Sequence, residues 1–101
     1  MRRLRWTEQA VEDLSAIRDY IHRDSPRYAQ LVIENLIDHA EKAADFPNAG
    51  RVVPELGRED LREVIVGSYR IVYRVTEIAV TILTIFRSSR LFPLSDIESP
   101  A

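Results

Sequence analysis

The chain reads as a single α+β domain: one short strand, an α-helical hairpin, then a three-stranded antiparallel meander. Three observations carry that reading. Two apolar stripes recur at helical spacing before Pro47, a Ser-Pro pair divides them, and three runs rich in β-branched and aromatic residues follow Leu61. A length of 101 residues supplies one hydrophobic core rather than two.

The elements follow in order. Arg3 to Trp6 alternates polar and apolar, as a short first strand does. Thr7 is placed to cap a helix whose apolar face is Ala10, Val11, Leu14, Ile17, Tyr20 and Ile21, ending near Arg23. Asp24-Ser25-Pro26 marks a boundary: Ser25 can cap the next helix, and Pro26 suits its first position, where a missing N–H costs nothing. Ala29, Val32, Ile33, Leu36, Ala40 and Ala43 form the second stripe, and Pro47 disfavours helical geometry at Phe46. Pro47 to Gly50 is a turn by composition, and Arg51 to Asp60, with Pro54 and Gly57, has no period and reads as a loop. Leu61–Val66 and Tyr69–Val75 are strands joined by a Gly67-Ser68 hairpin turn, and Ala79–Phe86 is a third strand after a turn at Thr76-Glu77. The pattern dissolves from Leu91, which predicts a polar tail.

Alternation assigns the faces. On the middle strand, Tyr69, Ile71, Tyr73 and Val75 share one side, toward the helices; Arg70, Val72 and Arg74 share the other. One helix pair covers one face, so the arginine face is expected to be open.

Composition bounds the function. Cysteine is absent, which removes disulfides, thiol nucleophiles and cysteine metal sites. No metal and no cofactor is expected, since His22 and His39 lack a second ligand pair. No apolar run approaches a membrane span of ~20 residues, and the basic start has no signal-peptide core behind it. A cytoplasmic protein without membrane contact is expected. The net charge of −2 does not fit nucleic-acid binding over the whole surface. Its distribution is uneven: residues 51–90 hold seven arginines against five acids, and Lys42 is the only lysine. Arginine suits bidentate contact with carboxylate or phosphate.

The stretch LREVIVGSYRIVYRV, a further strand and then FRSSRLFP resembles the RelE/ParE superfamily of toxins from bacterial type II toxin–antitoxin modules. WTEQAVEDLSAIRDYI is similar to the family's first helix, and FPNAGRVVPEL to a loop of ParE-like members. The resemblance covers residues 4–92, so residues 1–92 are taken as the toxin domain and 93–101 as its tail. It implies a cognate antitoxin and a possible toxin–antitoxin hetero-oligomer. It also implies one of two targets: the ribosome with its mRNA, cut by RelE-like members, or DNA gyrase, poisoned by ParE-like members.

By position, Arg70 matches the arginine of the family's Tyr-Arg pair and Arg90 the arginine after the last strand. With Arg62 and Arg87 they form the expected target- or antitoxin-binding face. Metal-independent RNA cleavage needs an acid and a base beside such charges. Arginine serves poorly as either, because its pKa exceeds ~12, and residues 51–101 contain no histidine or lysine. Glu63 and Tyr73 are the nearest substitutes, but alternation turns Glu63 away from Arg62 and Tyr73 away from Arg70. A catalytic set can be assembled only by adding loop residues such as Glu55 or Glu59, so none is assigned. The expected function is a ParE-like toxin acting on gyrase, with a RelE-like mRNA endonuclease and an inactive homologue that keeps its antitoxin as the alternatives.

Overall fold

The computed structural model describes residues 2–97. The chain runs β1 (Arg3–Trp6), α1 (Glu8–His22), α2 (Pro26–Asp45), a single 3₁₀ turn (Pro47–Ala49), β2 (Arg51–Val52), β3 (Leu61–Val66), β4 (Tyr69–Val75), β5 (Ala79–Arg87) and α3 (Leu94–Ile97). The expected α+β order stands. Both helix starts are built as the sequence implies. Thr7 Oγ1 accepts from Ala10 N–H at 3.0 Å, and Ser25 Oγ from Tyr28 N–H at 3.1 Å, with Pro26 first in the helix. Phe46 leaves helical geometry at φ −132°, one residue before Pro47.

The sheet has five strands in the order β1-β5-β4-β3-β2. β1 lies parallel to β5; the other pairs are antiparallel. The meander is thus flanked by a strand on each side. One of these, β2, falls within the segment expected to be irregular: Arg51 and Val52 pair with Glu63 and Arg62. The Gly67-Ser68 turn is as expected, with Gly67 at φ +58°, a region open to glycine at little steric cost.

Two cores sandwich the sheet. On one face, Ala10, Leu36 and Ala40 of the helices pack against Ile71, Tyr73, Ile82 and Ile85. On the other, Leu61, Val72, Leu83 and Phe86 are buried under Val53, Leu56, Phe92 and Ile97. This second core corrects two expectations. The arginine face is not open, because residues 53–60 and the segment after β5 lie over it. Within the described part of the tail, α3 turns Ile97 into the core, where it is 6% exposed, and residues 98–101 lie outside the described residues. A bulge in β5 serves both faces. Leu83 has no partner in β4, since Val72 pairs with Thr84 and Tyr73 with Ile82. The extra residue lets Ile82 and Ile85 both face the helices while Leu83 and Phe86 face away. Beside it, Asp13 of α1 accepts from Thr84 Oγ1 at 2.6 Å and from Ile85 N–H at 3.0 Å, tying helix to sheet.

Candidate functional site

The four arginines singled out from the sequence do not form one face. Arg62 alternates with Glu63 and lies on the helix side of the sheet. Its Nη1 donates to the Gly50 carbonyl at 3.1 Å and its Nε to the Glu59 carbonyl at 2.9 Å. Arg87, at the end of β5, pairs with Tyr69 and is exposed. Arg90 is exposed in the following turn, where its N–H donates to the Arg87 carbonyl. Arg70 stands apart from all three and is only 8% exposed.

Arg70 is the hub of a buried ion network. Its Nε donates to Glu63 Oε1 at 2.7 Å, and its Nη2 bonds the same oxygen. Its Nη1 and Nη2 each reach one oxygen of Glu55 at 2.9 Å, a bidentate pair. Arg51 Nε donates to the other oxygen of Glu63. Glu63 is 1% exposed, so both its oxygens are satisfied by arginine. The guanidinium also lies 5.1 Å from the Phe86 ring centre and 5.2 Å from that of Phe92. Those two rings meet edge to face at 5.6 Å. One side chain therefore ties β3, β4 and β5 to the loop carrying Glu55 and to the segment carrying Phe92.

The titration of this network follows from its geometry. Hydrogen bonds donated to Glu55 above all, and then to Glu63, raise the Arg70 pKa against the opposing effect of burial. Arg70 is a fixed cation and cannot move protons. Hydrogen bonding to Arg70 holds the Glu55 carboxyl below its usual 4.5. A carboxyl whose folded pKa is depressed stabilises the fold fully above its unfolded value and loses that contribution as pH falls through the folded one. Stability should therefore decline as the pH drops below 4.5, and Glu55→Gln should decline less. Urea unfolding of both proteins across that range checks it; parallel acid limbs would dismiss Glu55 as a contributor.

Tyr73 is also occupied. Its hydroxyl donates to the Pro47 carbonyl at 2.8 Å, and burial pushes the phenol above its usual pKa. It stays protonated and holds the 3₁₀ turn against the sheet.

The exposed surface offers something else. Tyr20, Tyr28 and Tyr69, three of the four tyrosines, line connected hollows at the tip of the helical hairpin, with Arg87 at one side and Ser68 at the base. Tyr20 and Tyr28 are more than half exposed. The sequence marks both as flanking the inter-helix turn, but Tyr69 and Arg87 join them only through the β4–β5 register.

Comparison with known proteins agrees with the architecture. The family model for the ParE toxin of the type II toxin-antitoxin system parDE matches residues 4–92. Toxin RelE2 of Caulobacter vibrioides is 41% identical over 87 residues, 85% of this chain and 94% of that protein. The putative toxin Y4kP of Sinorhizobium fredii is 32% identical over 95 residues, 91% of this chain and 94% of that one. Among solved structures, the chromosomal ParDE system of P. aeruginosa superposes with a TM-score of 0.72 at 26% identity, covering 86% of this chain and 96% of the other. The toxin-antitoxin complex RelBE2 of Mycobacterium tuberculosis gives 0.59 at 23% identity, over 85% and 96% of the two chains, and speaks to the fold alone. With a family model spanning nearly the whole chain and a 41% identical relative, the chain belongs to the ParE toxin family of type II toxin–antitoxin systems, within the RelE/ParE superfamily.

Proposed function

We propose that this toxin acts by binding DNA gyrase and not by cutting mRNA on the ribosome. The observation that carries the reading is the closure of Arg70. A nuclease of the RelE kind needs a cation free to meet the phosphate, and a base and an acid within reach of the reacting oxygens. Here the strand arginine is spent on Glu63 and Glu55 and lies under the chain's own loop and C-terminal segment. Both carboxylates against it are engaged by arginine, and Tyr73 is held by a carbonyl on the opposite side of the sheet. Among the described residues, both histidines and the only lysine lie on the helices. That arrangement suits a protein that works by contact.

The same reading assigns a cognate antitoxin. The hollows lined by Tyr20, Tyr28 and Tyr69 offer large, rigid contact area at low entropic cost. Arg87 at their side, with Arg90 nearby in sequence, is available to carboxylates of an acidic antitoxin segment. A solved neighbour at 26% identity is the chromosomal ParDE toxin–antitoxin system of P. aeruginosa. No helix among the described residues is long and apolar enough to cross a membrane, and a cytoplasmic site of action follows from the proposed target.

The test uses the purified chain in two reactions. With gyrase and relaxed plasmid, lost supercoiling or trapped cleaved DNA is expected, reversed by the antitoxin. In a translation reaction, mRNA is expected to remain intact. Cut mRNA with unimpaired supercoiling would move the chain to the ribosome. No effect in either reaction, with normal growth on induced expression, would make it an inactive homologue.

A further inference from the structure

We infer that one corner of the sheet's second face, built by Arg3, Arg5 and Arg74 around Thr81, holds the phosphodiester backbone of duplex DNA. The register brings these residues together from opposite ends of the chain. Arg5 of β1 pairs with Thr81 of β5, which pairs in turn with Arg74 of β4. Arg3 lies two residues back on β1, beside Ala79. All of them point away from the helices, since the alternate positions Leu4, Val80 and Val75 pack on the helix-side core. The spacing is about 10 Å across the two strand gaps from Arg5 to Arg74, and about 7 Å along β1 from Arg3 to Arg5. The cover of loop and C-terminal segment stops short of this corner: Arg3 and Arg5 are exposed, and Arg74 and Thr81 are half-buried.

The charge here is uncompensated. None of the three arginines enters an ion pair among the described residues. β1, β4 and β5 carry no aspartate or glutamate, and the turn joining β4 to β5 carries one, the exposed Glu77. Asp60, next to the Leu61 that pairs with Arg74, is held by Arg58 at 2.7 Å. Arg2 adds a cation at the border, its Nε donating to the Thr76 carbonyl at 2.8 Å. A protein interface fits poorly, because its centre is depleted of charge and rich in aromatic rings. Here the centre is Thr81 and Ala79, and the large exposed apolar residue, Ile78, lies at the edge. Single-stranded RNA takes aromatic platforms for its bases, and the aromatic residue of β1, Trp6, packs on the helix side. What remains is a set of planar guanidinium forks over small side chains, which matches backbone phosphates. The choice of DNA among duplexes rests on the gyrase reading; the backbone contact rests on the patch alone. With a net charge of −2 the chain as a whole is repelled by DNA, so this corner decides which side faces the duplex. Its few contacts count most when gyrase holds toxin and DNA together.

The probe is a fluorescein-labelled DNA duplex of about 20 base pairs, titrated with the full chain and followed by anisotropy over a series of salt concentrations. Three neutralised phosphates predict that log K falls with log salt at a slope of about −2.7. Arg3→Gln with Arg5→Gln, both at exposed positions, should leave a slope of about −0.9. The same pair should weaken binding at low salt at least about tenfold, or ~1.4 kcal/mol, with the urea midpoint unchanged. Glu77→Lys should tighten binding and steepen the slope, a gain that a folding defect does not mimic. The reaction holds no gyrase, so failure of the gyrase reading leaves this result standing, and the reverse. Equal affinity of the parent and the double variant, a slope near zero, or tighter binding of an RNA duplex of the same length would overturn the inference. So would displacement of the DNA by a glutamate-rich peptide of equal charge at equal concentration, which would make the corner a protein contact.

Discussion

Arg70→Ala is expected to lower the unfolding free energy by about 3–5 kcal/mol, the range for breaking a buried ion pair from one side. Glu63, 1% exposed, would keep only Arg51, and its second oxygen would face apolar surroundings. Glu55 and Phe92 would lose the group that holds their segments on the sheet. A domain of this size is stable by roughly 5–15 kcal/mol, so the variant should be near its folding limit. Urea unfolding measures it directly. The partner experiment separates structure from function. Arg70→Met with Glu63→Leu removes both buried charges at similar volume, a change often neutral or stabilising. The freed Glu55 and Arg51 side chains are 41% and 60% exposed and can be solvated. That double variant should recover to within about 1–2 kcal/mol of the parent and, on the proposed reading, should inhibit gyrase as the parent does. A folded but harmless double variant would show that Arg70 meets the target, and would return it to the role the family resemblance gives it.

One pair of this network can be counted out from the hairpin turn. The Gly67-Ser68 turn sets Val66 opposite Tyr69, and counting back places Glu63 opposite Val72, one diagonal step from Arg70 on the same face. What the sequence hid was the cover. Val53 and Leu56 lie in a stretch with no period, and Phe92 and Ile97 are isolated apolar residues in a polar tail. Periodicity detects elements that bury a repeating face; it is blind to single residues that plug a gap from far along the chain. The same blindness hid β2, two residues long. It also hid the bulge, because Ala79–Phe86 is apolar almost throughout and shows no alternation to be broken. The arginine face was therefore right in its membership on β4 and wrong in its exposure. Arg87 and Arg90 lie beyond the covered region and are exposed.

A second large effect is expected at Gly50, for a reason of space rather than backbone freedom. Its φ of −75° and ψ of 153° are ordinary for any residue. A Cβ there would stand 2.1 Å from Tyr73 Oη and 2.8 Å from the Glu63 carbonyl oxygen. The first contact can be relieved only by expelling the phenol, which is buried and bonded to Pro47. The second is backbone and can be relieved only by moving β2 off β3. Overpacking of this kind costs about 1–3 kcal/mol, and losing the Tyr73 hydrogen bond adds roughly 0.5–1.5 kcal/mol, so Gly50→Ala should destabilise by about 3 kcal/mol. The two contacts are separable in a double-mutant cycle. Tyr73→Phe removes the nearer atom, so Gly50→Ala should cost at least about 1 kcal/mol less in that background, within the range for residues in contact. Strict additivity would place the strain on the Glu63 carbonyl and on Tyr73 Cζ, which stands 2.9 Å from the added Cβ and which phenylalanine keeps. The β2–β3 edge would then be the rigid element, and Tyr73 would be fitted to it.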